Sequence, residues 1–543
     1  MSEPLKSQRP GRTRDETLPK LVAERAASDP ERVWLEELEG RTVTYAQGHE
    51  EALHWAAAWR RVGVEAGDVV VTMQFNTADA VVGWLGLAWL GALENPINTD
   101  YRVDLLHHVL ENTRAKVMLV RQEWLGRVHE IQDRLDHLEH LIVVDPTGDP
   151  LPAGRFRITL VDEFLAGVAP AGDVAPPRPS DIACVLYTSG TTGPSKGSLM
   201  PWGQLHSFPG MGLGPDEAIL DWGPSYHLPA KVWPHMAALL GARVLMRPYL
   251  RLSTLADDCR RATFTQLLPP IIDAMLAQPP SPDDARCALR FWGGAASAYP
   301  GFEAFRARFG VRMVLLFGMT ETGIAPLWAW DDEAPNVDAA GRPLCGRVQP
   351  HTYPHFECRL VDEHDQEVPP GTVGELIIRA GVPWAMTAGY LNMPEATLDT
   401  WRNGWFHTGD AMVADADGSF YFVDRMKDCI RRRGENISSV EVELAVRAHP
   451  AVLECAAVAA RMPGGDEEIR IFVRRREAET LTAEELIGSL IGVMPRFMVP
   501  RFVDFVDAFP TTPTGKIRKV ALRGAPLGDE TWDREAAGIT VPR

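Results

Sequence analysis

What the 543-residue sequence has little of excludes several classes of protein at once. Positive charge is outweighed, with 55 Lys and Arg against 73 Asp and Glu and a net charge of −18. A general nucleic-acid binder needs a basic surface, so no nucleic-acid partner is expected, although small anionic ligands answer to local fields and stay open. The seven cysteines (184, 259, 287, 345, 358, 429 and 455) are scattered and form no C-x-x-C pair, which points to a reduced, cytoplasmic setting. No apolar run reaches the roughly 20 residues that span a bilayer; the most apolar stretch, Ala80 to Leu93, reads as a buried helix. The opening Met1 to Pro10 lacks the apolar core of a secretory signal and the last residues carry no address signal. Internal repeats and low-complexity tracts are absent as well.

What is present is the rhythm of an α/β protein. Val69–Met73, Ala115–Val120, Ala242–Met246, Leu289–Trp292 and Val311–Phe317 are strand-like runs between helical patterns, the alternation of parallel sheets. After residue 340 the texture turns to short β-like runs such as Phe356–Val361 and Gly374–Arg379, as in a small barrel or sandwich subdomain. Asp415-Ala-Asp-Gly418 reads as a hairpin turn, since the other ligands of a calcium loop are missing. Ser438 with Glu441 and Thr482 with Glu485 fit capping boxes. The expected layout is a flexible 1–18, a multi-lobed N-terminal domain over 19–426 with parallel-type sheets and a small β subdomain, and a mobile α+β C-terminal domain over 427–543.

One stretch is dense in ligand-binding chemistry. Tyr187-Thr-Ser-Gly-Thr-Thr-Gly-Pro-Ser-Lys-Gly197 follows the apolar run Ile182–Leu186 and offers backbone N–H groups, hydroxyls and one ammonium. It reads as a phosphate cradle, with glycines that let the backbone approach a ligand. Its spacing, G-x-x-G-x-x-K-G, is not that of a Walker A loop.

Four further stretches follow it in order: Phe317-Gly-Met-Thr-Glu-Thr-Gly323, Gly404-Trp-Phe-His-Thr-Gly-Asp410, Asp424-Arg-Met-Lys427 and Pro513-Thr-Gly-Lys516. Together the five resemble the motifs of AMP-forming adenylating enzymes, the ANL superfamily, in its acyl-CoA synthetase branch, over about residues 20 to 525. The resemblance implies activation of a carboxylic acid by ATP to an acyl-adenylate with release of pyrophosphate, then transfer to CoA. It implies that Thr188, Ser189, Gly190, Thr191, Thr192, Gly193 and Lys196 hold the β- and γ-phosphates, and that Glu321 with Thr188 holds Mg²⁺. Thr320 is implied as donor to the α-phosphate. Phe317 and Gly318 on one side and Gly294 and Ala295 on the other are implied as the walls of the adenine slot, Asp410 and Arg425 as ribose ligands, and Lys516 as the catalytic cation. His227 matches a gate to the carboxylate and thiol tunnel. Lys427 matches a hinge that exchanges Lys516 for Arg433 and Gly434, which are implied for CoA together with Arg431 and Arg432. A solvated basic face reads those arginines equally well, and Glu321, Asp410 and Arg425 taken singly read as ordinary surface ion-pair members.

The acid is the least determined partner. Trp222, Trp233 and Trp292 fall in or near the expected pocket stretches and suggest a short or compact acid. Arg432-Arg-Gly-Glu-Asn-Ile-Ser-Ser-Val-Glu-Val-Glu443 is similar to carnitine/crotonobetaine-CoA ligases, whose substrates are betaines, although the similarity lies outside the acyl pocket. Two rival readings stand beside this one: a stand-alone enzyme loading a carrier protein, disfavoured by the 27 residues after Lys516, and a catalytically silent binding member of the fold. A homodimer is the expected assembly. His107, His108, His137 and His140 lack metal-site spacing and are expected on helix surfaces.

Overall fold

The computed structural model describes residues 15–188, 195–206, 213–267, 269–286, 289–292, 302–330, 337–339, 342–348, 355–432, 435–462, 467–476, 480–491, 493–511, 516–528 and 530–541. Two large sheets carry the N-terminal part. In the first, Arg157–Leu160, His140–Val144, Val117–Arg121, Val69–Met73, Leu93–Pro96 and Ile182–Thr188 run parallel in that spatial order, and Lys196–Pro201 closes the edge antiparallel to Ile182–Thr188. Apolar residues fill these strands because helices cover both faces. Among those helices is Ala78–Leu90, started by Thr77 and ended by Gly91 in the left-handed region. It packs on Tyr45–Arg61 so closely that a Cβ on Gly86 would sit 2.5 Å from Cβ of Trp55.

The second sheet is half parallel and half antiparallel. Arg290–Trp292 pairs parallel with Arg312–Met319, whose other edge turns back antiparallel into Gly323–Trp330. From there Leu344–Arg347, Ser419–Arg425, Trp405–Ala414, Gly374–Ala380 and Phe356–Val361 continue the same sheet. The β-rich region after 340 is thus a subdomain built onto the central sheet. It has its own apolar cluster, including Leu327, Leu376, Ile378 and Phe406, but main-chain hydrogen bonds make it an extension of the central sheet.

The C-terminal part has a four-stranded sheet, Val452–Arg461, Glu467–Arg475, Phe502–Phe505 and Trp532–Asp533, with a separate core under the helices Ser439–Arg447 and Ala483–Leu490. Thr482 and Glu485 make the expected reciprocal cap. Ser438 caps only one way: its hydroxyl accepts from the Glu441 N–H and donates to the Val423 carbonyl at 2.6 Å. That bond and the 2.6 Å bonds from Ser439 to Asp424 dock the helix on the end of Ser419–Arg425. Within the described residues Thr17 is buried and a helix begins at Leu18.

Candidate active site

The cradle is a hairpin. Ile182–Thr188 leads in, Lys196–Pro201 leads out, and Thr188 pairs with Lys196 across the ladder. Gly197 is demanded by this approach, since a Cβ there would lie 2.8 Å from Val185 and 3.1 Å from the Tyr187 ring. Ser189, Gly190, Thr191, Thr192 and Gly193 lie outside the described residues, as do Gly294, Ala295, Arg433 and Gly434.

The strand Arg312–Met319 delivers the next group. Its pairing shifts between Phe317 and Met319, an irregularity at Gly318 of the kind that re-aims side chains beside functional sites. The turn that follows puts Glu321 against the hairpin: its Oε1 lies 3.5 Å from the Thr188 hydroxyl and accepts from the Tyr390 hydroxyl at 2.9 Å. Burial raises the pKa of Glu321, and Tyr390, Arg425 and Lys196 oppose that rise. The Thr320 carbonyl accepts from the Gln204 amide at 2.7 Å, which ties the turn to the short helix Trp202–His206 that follows the outgoing arm of the hairpin. Phe317 is half-buried against the apolar cluster of the extended sheet.

Asp410 and Arg425 face each other across Trp405–Ala414 and Ser419–Arg425. The guanidinium Nε is 2.9 Å from Asp410 Oδ1, yet its direction is not that of a hydrogen bond, and both carboxylate oxygens are buried with no hydrogen-bond partner among the described residues. Burial lifts the Asp410 carboxyl to about 6. A buried carboxylate with both oxygens unassigned is suited to accepting from vicinal hydroxyls.

Lys516 comes from the C-terminal part and reaches the same place. Its pKa is depressed by the protein crowded around the ammonium and by Arg425, with Asp410 pulling the other way. Solvent still reaches the residue, so crowding rather than sealing is the cause. His227 is half-buried; desolvation, then the charge of Lys516, lower its pKa to about 4. Thus Thr188, Lys196, Glu321, Asp410, Arg425, His227 and Lys516, spread over more than 300 residues of sequence, lie within electrostatic reach of one another in a linked cluster.

The loop bearing His227 is tied down by residues the sequence did not single out. Asp221 accepts from the Asn76 amide at 2.8 Å, and the Ser225 hydroxyl donates to the Gln74 carbonyl at 2.8 Å. Four residues after His227, Lys231 forms a buried ion pair with Glu94 at 2.5 Å and lies 4.5 Å from the Trp84 ring centroid. Nothing local in the sequence marks this pair, whose members lie 137 positions apart.

Several sequence expectations fail here for physical reasons. Arg432 is neither solvated nor open to CoA phosphates: it is buried and its Nε lies 2.6 Å from Glu468. Trp233 fills the core edge-on to Phe264 instead of lining a pocket. His140 sits on a strand, buried and bonded to the Thr159 hydroxyl at 2.9 Å. Trp222 is half-buried with its indole N–H on the Gln266 carbonyl at 3.0 Å; the side chain of Trp292 lies outside the described residues. Among the described residues no group of three His, Cys, Asp or Glu is placed to hold a metal by itself.

The profile described as AMP-binding enzyme matches residues 22–391, and that described as AMP-binding enzyme C-terminal domain matches residues 441–516. The chain belongs to the AMP-binding enzyme family. This AMP-binding enzyme is 30% identical over 500 residues to the crotonobetaine/carnitine–CoA ligase of Salmonella arizonae, covering 88% of this chain and 93% of the relative. It is 31% identical to the protein of that name from Citrobacter koseri, covering 89% and 93%. Its fold superposes on ATP-bound MatB from Rhodopseudomonas palustris with a TM-score of 0.79 at 24% identity, covering 93% and 98% of the two chains. For a benzoate CoA ligase from Burkholderia xenovorans the TM-score is 0.78 at 24% identity, covering 93% and 99%. The enzyme is an AMP-forming acid–thiol ligase that uses ATP, Mg²⁺, CoA and a small carboxylic acid. Among the described residues no helix is long and apolar enough to cross a membrane.

Proposed function

We propose that the enzyme activates a short, compact or betaine-type carboxylic acid as its acyl-adenylate and passes the acyl group to CoA. The observation that carries this reading is the arrival of Lys516, from the C-terminal part, beside Asp410, Arg425 and His227. A compact ammonium at that place can lie between an attacking carboxylate and the α-phosphate, offsetting the repulsion of two anions as they meet. Lys196, with the hairpin loop, holds the β- and γ-phosphates that leave as pyrophosphate. Asp410 accepts from the ribose hydroxyls, Arg425 donates to the ribose or phosphate, and Thr320 donates to the α-phosphate.

Glu321 and the Thr188 hydroxyl fit a hard divalent ion, which accepts one or two carboxylates and completes its shell with phosphate oxygens and water. The buried carboxylate beside a hydroxyl is the observation that supports this. When bound, Mg²⁺ would offset phosphate charge; the chain's part is to hold these two oxygens still. His227, neutral at pH 7, borders the path of the acid and the thiol as an uncharged gate. For thiol transfer, the C-terminal domain (427–543) turns about Lys427, in the turn after Ser419–Arg425, withdrawing Lys516 and bringing Arg433 and Gly434 to the pantetheine arm. Hinges of this kind absorb the change at a few residues.

The betaine class is taken from the crotonobetaine/carnitine–CoA ligases, related along nearly 90% of this chain. Free CoA rather than a carrier protein is the acceptor, and the enzyme works in the cytoplasm as a homodimer. Acid-dependent ATP–pyrophosphate exchange over a panel of carnitine, crotonobetaine and short and long acids tests the reading, followed by CoA and carrier protein as competing acceptors. Exchange with one of the compact acids and thioester on CoA is expected. Exchange with long-chain fatty acids alone, or with none of the panel, overturns it.

A further inference from the structure

The segment 387–391 runs antiparallel beside Lys196–Pro201. Ala388 N–H donates to the Leu199 carbonyl at 2.9 Å, Leu199 N–H to Gly389 at 2.9 Å, and Leu391 N–H to Gly197 at 2.8 Å. It is tied to the metal-side turn too, by the 2.7 Å bond from Thr387 N–H to the Glu321 carbonyl. The Ser198 hydroxyl donates to the Thr387 hydroxyl at 2.9 Å. Gly389 has a φ of +120°, and a Cβ there would fall 2.7 Å from the Thr397 side chain, whose hydroxyl accepts from the Tyr390 N–H at 2.9 Å. The backbone of Tyr390 is thus fixed from both sides, and its side chain is buried.

That side chain touches two groups of opposite charge. Its hydroxyl donates to Glu321 Oε1 at 2.9 Å, and the Lys196 ammonium lies 4.9 Å from its ring centroid. Among the described residues Lys196 has no carboxylate partner, although it lies near enough to Glu321 to favour its ionised form.

We propose that Tyr390 is a positioning residue for the metal–nucleotide complex, its hydroxyl fixing the Glu321 carboxylate and its ring seating the Lys196 ammonium so that the two charges stand apart. A direct Lys196–Glu321 pair in this low-dielectric site would be strongly attractive. It would have to break before phosphate and metal could enter. A ring face within about 6 Å holds a cation without neutralising it, and a hydroxyl donor holds a carboxylate while leaving its other lone pairs open. The inference rests on the reading of Glu321 as metal ligand and Lys196 as phosphate ligand.

The test separates ring from hydroxyl in Tyr390→Phe and Tyr390→Leu, by equilibrium binding without acid, so that no turnover occurs. Mn²⁺ binding in the presence of a non-hydrolysable ATP analogue is followed by electron paramagnetic resonance, and metal-free ATP binding by calorimetry in EDTA. Tyr390→Phe is expected to weaken Mn²⁺ binding about tenfold, the scale of a lost hydrogen bond to a charged group, with metal-free ATP binding changed by less than about twofold. Tyr390→Leu is expected to weaken the metal equally and metal-free ATP by a further factor of about three to five. Wild-type metal binding by Tyr390→Phe, or equal loss of both ligands in the two variants, overturns the inference. Phe keeps the packed ring, so that arm decides even where Leu disrupts folding. Glu321→Gln and Lys196→Ala are measured alongside. If they too bind metal and nucleotide as the wild type does, the site reading falls and the inference with it; if they lose binding while the Tyr390 variants do not, only the role of Tyr390 falls.

Discussion

Asp410→Asn should stabilise the ligand-free protein while weakening its grip on ATP. The carboxylate is fully buried, accepts no hydrogen bond among the described residues, and has its pKa lifted from the usual 3.8 to about 6, chiefly by burial, with Arg425 opposing. At about 1.4 kcal/mol per pH unit, holding it charged at pH 7 costs the folded state about 3 kcal/mol. The folded protein binds this proton more tightly than the unfolded chain does. The penalty is therefore complete above about pH 6, about half present at pH 5, and gone below the usual carboxylate value. Asparagine has the same shape without the charge but brings an amide with hydrogen-bonding needs of its own, so a gain of about 1–3 kcal/mol at pH 7 is expected. Urea unfolding of ligand-free wild type and variant between pH 5 and 8 reads this directly: the gap should be largest above pH 6 and shrink toward pH 5. The KM for ATP should rise about 10- to 100-fold, the scale of one charge-assisted ribose hydrogen bond. A variant less stable than wild type at pH 7, or a gap that does not change with pH, would refute the reasoning.

Two other perturbations address His227 and the buried ion pair that follows it in the chain. Lys231→Met leaves Glu94 buried and unpaired, which should cost about 3–5 kcal/mol in urea unfolding, and the double variant Lys231→Met/Glu94→Gln should recover most of that loss; no recovery would show that the pair acts through packing. His227, with a pKa of about 4, stays neutral across the working range, so wild type and His227→Gln should give parallel pH profiles between pH 5.5 and 9 even where their rates differ, and an acid limb near pH 6.5 that disappears only in the variant would contradict its placement.

The local features of the fold were legible because short-range physics sets them. Apolar runs gave the strands Val69–Met73 and Ile182–Thr188, the apolar stretch Ala80 to Leu93 gave a helix that forms at Ala78–Leu90, with Leu93 already in the next strand, and Asp415 with Gly418 gives the turn of the hairpin that carries Asp410 and Arg425. What escaped depends on partners distant in sequence. The β-rich region joins the central sheet through Leu344–Arg347, whose neighbours Gly323–Trp330 and Ser419–Arg425 lie on either side of it in space and far apart in sequence. Arg432 looked like a solvent-facing cation because Glu468 is 36 residues away, and Tyr390 gave no local sign of meeting Glu321, 69 positions earlier. Trp233 looked like a pocket wall because an apolar side chain suits a core and a pocket equally.

The most direct test of the central claim is to measure the two half-reactions of Lys516→Ala separately with an acid that the wild type activates. If Lys516 serves only adenylate formation, ATP–pyrophosphate exchange should fall by about a hundredfold or more, while thioester formation from supplied acyl-adenylate and CoA stays close to the wild-type rate. Exchange at the wild-type rate, or equal loss of both half-reactions, would contradict it.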